Sequence, residues 1–162
     1  YVLGQLRSLS VAYYIRYLLL YLRQNVRLLD SSGGLATEEA ELMNEKSLLV
    51  AISFRYYARE VVDIVEGTAR KKIPILAFTD SQLSPLYKLA TCSLVVPGAG
   101  HKFSYSLAAT MSLAQSLIVS MASRLQIESS QEEFNPQDLL GSSDPKVLQR
   151  ISSSKPYHFE QN

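Results

Sequence analysis

The hydrophobic pattern is sharpest between Leu48 and Glu66. Leu48 to Ile52 is a continuous apolar run rich in branched side chains, with no alternation. Such a run predicts a strand buried on both faces, covered by helices on each side. Ser53 to Tyr56 breaks it. From Tyr57 the period changes: Val61, Val62, Ile64 and Val65 recur at helical spacing, with Arg59, Glu60, Asp63 and Glu66 on the other side. A buried strand that feeds a helix through a short polar turn is half of a βαβ unit. In open α/β sheets that turn lies at the carboxyl edge, where ligands bind.

The same reading extends along the chain. Tyr1-Val2-Leu3 predicts a short buried strand ended by Gly4, and Gln5-Leu6-Arg7 a turn. Ser8 is the expected N-cap of a helix running to about Gln24, with Val11, Ala12, Ile15, Leu18, Leu19 and Leu22 as its core stripe. Tyr13, Tyr17 and Tyr21 form a second stripe, which either packs on the sheet edge with its hydroxyls in water or makes a subunit interface. Val26 to Leu29 predicts a second strand, Asp30 to Gly34 a flexible loop, and Thr37 to Asn44 a short helix capped by Thr37. The helix after the central strand ends near Lys72, before Pro74. Ile75 to Phe78 is the fourth expected strand. Ser84-Pro85 reads as an N-cap followed by proline at N1, opening a short helix. Ser93 to Val96 is the fifth strand, and a helix from about Ser104 to Leu125 follows. Its serines Ser112, Ser116 and Ser120 make either a weakly polar exposed face or a seam for close helix approach.

Strands and helices thus alternate, which argues for one α/β domain: a three-layer αβα sandwich around a five-stranded parallel sheet. Strand order 2-1-3-4-5, the flavodoxin-like arrangement, is expected, with the switch point between the first and third strands. From Glu128 the composition shifts to Ser, Gln, Glu, Asn and Pro. The expected division is a folded domain over 1–127 and a polar extension over 128–162. Asn135-Pro136 and Asp144-Pro145 mark two expected short helices in that extension.

Composition narrows the function classes. The 162 residues carry a net charge of +1 with the charges scattered, which is no footprint of direct nucleic-acid binding. Cys92 is the only cysteine, so no intrachain disulfide forms, in keeping with a cytoplasmic protein. Phe103 to Ser123 is uncharged and long enough to span a bilayer, but seven Ser and Gln residues dilute it, and a buried helix rather than a membrane span is expected. The abrupt start at Tyr1, inside an apolar run, leads to the expectation that the chain is a piece of a longer protein.

The chemistry-bearing residues concentrate at two strand ends, Gly4 to Ser8 and Ser53 to Ala58. Each feeds a helix start, where free N–H groups and the positive end of the helix dipole favour an anion. Ser8 and Ser53 add hydroxyls. Arg7 and Arg55 either form a charge-assisted fork for phosphate or carboxylate, or are solvated or paired with local acids such as Glu60. Catalytic patterns are thin. His101 and His158 are the only histidines, no His/Cys cluster has metal spacing, and no G-x-S-x-G, Walker or G-x-G-x-x-G motif occurs. Asp80 reads as a loop-stabilising residue before it reads as a base. Glu38, Glu39 and Glu41 are explained by their place at a helix start. No catalytic residue, cofactor or metal is therefore expected.

The run LLVAISFRYYAREVVDIVEGTARKKIPILAFTDSQLSPLYKLATCSLVVP resembles the sugar isomerase (SIS) domain of RpiR/MurR-type bacterial transcriptional regulators. Its most specific piece is Thr79-Asp80-Ser81-Gln82-Leu83-Ser84-Pro85-Leu86, followed by Leu89-Ala90, and Gly4 and Ser8 are in register with the family's first turn. The resemblance spans Tyr1 to about Leu125. It implies an effector-sensing domain that binds a sugar phosphate or another small anionic ligand, forms a homodimer, and reaches DNA only through an N-terminal helix-turn-helix domain absent from this chain. An aldose-ketose phosphate isomerase and a purely structural dimerisation module are the alternatives. The implied ligand contacts are Gly4, Gln5, Ser8, Ser53, Arg55 and Tyr57. Two departures stand out. Leu6 replaces a glycine of the first turn. In the second turn, which usually reads serine-x-serine-glycine-x-threonine, Arg55, Tyr56 and Ala58 stand where the second serine, the glycine and the threonine belong. Arg55 and Tyr56 are expected to fill part of the space that small residues leave for an anion.

Overall fold

The computed structural model describes residues 1–98 and 106–124. His101, His158 and the two helices expected in the extension lie outside the described residues, and the last helix begins at Ala108, after the non-helical Ser106 and Leu107, rather than near Ser104. The chain divides into two compact units, Tyr1–Ile118 and Val119–Asn162. Of the second, only 119–124 is described, as the end of the last helix.

The elements run β1 (Val2–Gly4), α1 (Arg7–Tyr21), β2 (Leu28–Leu29), a 3₁₀ turn (Ser32–Gly34), α2 (Ala36–Glu41), β3 (Leu49–Ile52), α3 (Arg59–Arg70), β4 (Ile75–Thr79), α4 (Pro85–Leu89), β5 (Cys92–Val95) and α5 (Ala108–Arg124). The five strands form one parallel sheet in the order β2-β1-β3-β4-β5. β3 is central, and its four residues are all buried, as its unbroken apolar run predicts.

Alternation along each strand divides the core between the two faces of the sheet. Leu3, Leu49, Ala51, Ile75 and Ala77 pack with Ala40 of α2, with Val61, Ile64 and Val65 of α3 and with Leu86 of α4. Val2, Val50, Ile52 and Phe78 point the other way, to Val11, Ala12 and Ile15 of α1 and Ala114 of α5, with Phe54 filling the same layer. Three layers result because every strand carries apolar side chains on both faces and neither can be left to water.

Several local expectations give way. Ser8 is not the N-cap of α1: Leu6 holds that position with no side-chain cap bond, and Ser8 lies buried in the first turn, its N–H donating to the Gln5 carbonyl at 3.0 Å. α1 ends at Tyr21, not near Gln24, and Arg23 takes a left-handed φ of 55° just beyond it. Thr37 lies inside α2, whose N-cap is Leu35, and α2 ends at Glu41. The Asp30–Gly34 loop contains the 3₁₀ turn, tied by the Ser32 N–H donating to Asp30 Oδ1 at 2.9 Å. Tyr57 precedes α3 rather than opening it. Cys92 begins β5, one residue ahead of the start expected at Ser93. The Ser84-Pro85 start of α4 forms as expected, the Ser84 hydroxyl accepting the Leu86 N–H at 3.2 Å. No described helix is long and apolar enough to cross a membrane.

Two residues set the geometry of the first turn. A Cβ at Gly4 would lie 2.7 Å from the Ser8 carbonyl oxygen and 3.0 Å from Ala12 Cβ, so α1 packs on the end of β1 only because residue 4 has no side chain. Leu6, 81% exposed, adopts φ 54° and ψ −128°, a backbone region that glycine enters freely and leucine does not. The turn therefore keeps a glycine's shape with a leucine in it. Substitutions at these positions act in opposite directions. Gly4→Ala is expected to lose about 1–3 kcal/mol of stability by overpacking. Leu6→Gly is expected to gain about 1 kcal/mol, since relief of strain exceeds the added entropy of the unfolded chain. Urea unfolding of both variants checks the pair.

Candidate functional site

β1 and β3 are neighbours and parallel, with Gly4 opposite Ile52. Their carboxyl ends therefore emerge side by side, and each hands the chain to a helix start, α1 or α3. Arg7 joins the two turns directly, its guanidinium donating to the Arg55 carbonyl. The end of β4 forms the third wall, because Ala51 and Ile52 pair with Ala77 and Phe78 and the Ser53 N–H extends that ladder to the Phe78 carbonyl at 3.0 Å.

Two hydrogen-bonded clusters occupy this crevice. On one side the Gln5 amide donates to Ser31 Oγ at 2.5 Å and also to the Glu60 carboxylate, while Ser31 donates to Glu60 Oε2 at 2.9 Å. Residues from the first turn, the β2–α2 loop and the first turn of α3 meet there. On the other side Asp80 gathers the second turn. The Arg55 N–H donates to its Oδ2 at 3.1 Å, and the Tyr57 hydroxyl donates to its Oδ1 at 2.9 Å. Burial, and after it the hydrogen bond and negative charge of Asp80, push the Tyr57 phenol above its usual pKa, with the Ser84 and Thr79 hydroxyls acting in the opposite sense. Tyr57 is thus a neutral donor at ordinary pH.

The six expected contacts are all brought to this edge, but in different roles. Gly4 sets the helix approach. Gln5 and Tyr57 reach carboxylates. Ser8 and Ser53 are buried at 4% exposure each, one in the first turn of α1 and the other just beyond β3. Arg55 contributes its backbone N–H and carbonyl, and its side chain is exposed. The expected filling of the second turn by bulky side chains does not hold, since Tyr56 is 89% exposed and faces solvent. Sequence reasoning set aside Glu60 and Asp80 and did not consider Ser31. Their signal was position, each lying at or just after a strand end or in a first helical turn. Among the described residues no group of His, Cys, Asp and Glu is arranged to hold a metal. A separate cleft of about 240 Å³ lies between α2 and α3, where Lys71 pairs with Glu41 at 2.6 Å, and it shares no residue with the crevice.

The fold is shared with solved proteins. The sugar isomerase domain of an RpiR transcription factor from Sphaerobacter thermophilus superposes with a TM-score of 0.72 at 24% identity, over 93% of this chain and 76% of that one. The Vibrio vulnificus NanR protein, solved in complex with ManNAc-6P, gives 0.65 at 23% identity, over 76% of this chain. This chain spans about half of its length, 48%. A hypothetical protein from Methanococcus jannaschii, whose structure infers a 3-hexulose-6-phosphate isomerase function, gives 0.62 at 14% identity, over 83% of this chain and 76% of that one. No curated protein sequence matches this one. The SIS domain family model matches residues 1–122, which take in the whole described sheet, both turns and the Asp80 wall of the crevice. With that span matched and the parallel sheet in the order that places both turns together, the chain belongs to the SIS domain family.

Proposed function

We propose that this chain is the effector-sensing and dimerising domain of a cytoplasmic transcriptional regulator, and that the crevice between β1 and β3 receives a sugar phosphate or related carbohydrate derivative. One observation carries the reading: the turns Gly4–Ser8 and Ser53–Ala58 lie side by side at two helix starts, joined by the bond from Arg7 to the Arg55 carbonyl. A ligand held there touches both turns at once and so fixes α1 against α3. The match to the SIS family supports it, as do the likeness to the RpiR domain and to NanR, whose structure contains a sugar phosphate. DNA is contacted by a separate helix-turn-helix domain of the longer protein. The ligand acts by differential affinity for two arrangements of the dimer, which changes the spacing of the DNA-binding domains.

The tyrosine stripe of α1 is the proposed dimer surface. Tyr13, Tyr17 and Tyr21 are 47%, 44% and 47% exposed, a run of large aromatics left at the surface of a well-filled domain. Tyr17→Glu is expected to leave the domain folded and to convert a dimer to a monomer in sedimentation velocity. A wild-type monomer at high concentration would remove the dimer.

A second reading, an aldose-ketose phosphate isomerase, is favoured by Glu60, a carboxylate near the two turns, held by Gln5 and Ser31, of the type a proton-transfer base requires.

Two measurements separate the readings. In a thermal-shift titration with a panel of sugar phosphates, at least one compound is expected to raise the melting temperature, with a stabilisation of about 2.7 kcal/mol once it reaches a hundredfold excess over its Kd. No shift with any compound would dismiss the sugar-phosphate effector. A turnover assay on the same panel is expected to show no interconversion. Turnover that is lost in Glu60→Gln would instead establish the isomerase.

A further inference from the structure

The three turns that wall the crevice share a feature that folding does not explain. Each carries one large apolar side chain open to water: Leu6 in the first, Tyr56 in the second and Leu83 after β4. At 81%, 89% and 84% exposure these are the most exposed large apolar side chains among the described residues, the next being Val119 at 61%. Each also stands close to a hydrogen bond that fixes its turn. Arg7, next to Leu6, donates to the carbonyl of Arg55, whose peptide leads into Tyr56. The Arg55 N–H donates to Asp80 at 3.1 Å, and the Leu83 N–H donates to the hydroxyl of Ser81, the residue after Asp80, at 3.1 Å. Leu6 costs the domain stability through its left-handed φ of 54° and buries little of its side chain in return. An apolar side chain held in the open at a strained position gains its free energy from something outside the domain.

We propose that Leu6, Tyr56 and Leu83 form an apolar rim that receives a large apolar substituent of the ligand, so that the effector is a sugar phosphate bearing an aryl group. This assignment rests on the crevice being the ligand site of the proposed function. Size and surroundings choose the occupant. β1, β3 and β4 are successive neighbours in the sheet. Their ends therefore span about 10 Å at ordinary strand spacing. A single methyl meets one side chain of such a rim, whereas a benzene ring reaches further and gives Tyr56 a face or an edge to pack on. A folded protein partner buries about 800 Å² on each side. Three side chains interrupted by the exposed Arg7 and Arg55 are too small and too charged a patch for that. The same two cations suit a ligand that carries a phosphate. Because the turns already fix the backbone at Leu6 and Leu83, the rim loses little freedom when it is covered.

The test uses matched pairs of phosphorylated hexosides, each pair a methyl and a phenyl glycoside of the same sugar phosphate, with affinity read by calorimetry on the whole chain. In at least one pair the phenyl member is expected to bind about tenfold more tightly than the methyl member, as covering one side of a ring requires. Leu6→Gly, Tyr56→Ser and Leu83→Ser, all at exposed positions, are each expected to lower that ratio, and the triple variant to bring it to unity. Leu42→Ser, at an exposed leucine that ends α2, is expected to leave the ratio unchanged. Equal affinity for the methyl and phenyl members would overturn the proposal and leave the effector reading intact. So would a phenyl preference that survives the triple variant, or one that falls equally in Leu42→Ser. Binding by no member of any pair would instead remove the effector reading, and the proposed rim ligand with it.

Discussion

The close approach of α1 to the end of β1 is the constraint on which the crevice depends. With no side chain at Gly4, the Ser8 carbonyl comes within 2.7 Å of where a Cβ would be. That contact pulls the first turn of α1 over the carboxyl edge of the sheet. It forces Leu6 into a backbone shape suited to glycine, and it carries Arg7 to where its guanidinium meets the second turn.

The rest of the molecule holds that edge rigid. β3 is buried on both faces and paired on both sides, so the positions of Ser53 and of the second turn follow from a strand that has nowhere to move. Phe78, Ile52 and Leu3 are fully buried, and each contributes about 1.5–3 kcal/mol through burial alone. The two turns at the carboxyl edge, by contrast, are short, polar and half exposed. This division places precision in the core and adaptability at the rim.

Electrostatically, the crevice is not the simple anion trap that two helix starts would make. Asp80 accepts the Arg55 backbone N–H, Glu60 accepts the side chains of Gln5 and Ser31, and Arg7 donates to a carbonyl of the second turn. The altered second turn loses small residues and hydroxyls, yet it does not close, because Tyr56 swings out to solvent while the backbone of Arg55 turns in. The outcome is a polar crevice whose donors and acceptors are already engaged with one another.

Much of the fold was legible in the sequence. The unbroken run at Leu48–Ile52 located the central strand, alternating strands and helices specified a parallel sheet in the observed order, and Ser84-Pro85 marked a helix start that forms as read. These are local signals, carried by periodicity and by residues within a turn of one another. Helix caps were less legible, since Ser8 and Thr37 have the right chemistry for a cap but α1 and α2 each start upstream of them, with Leu6 and Leu35 as N-caps. The two turns were placed correctly. Their wiring was not, because Gln5 meets Glu60 across 55 positions, Arg7 meets Arg55 across 48 and Arg55 meets Asp80 across 25. The sequence by itself determined which strand ends carry the polar residues and that those ends share an edge. Which side chain bonds to which was decided only by the tertiary structure, because strand register and helix approach set those distances and neither is written in any single stretch of chain.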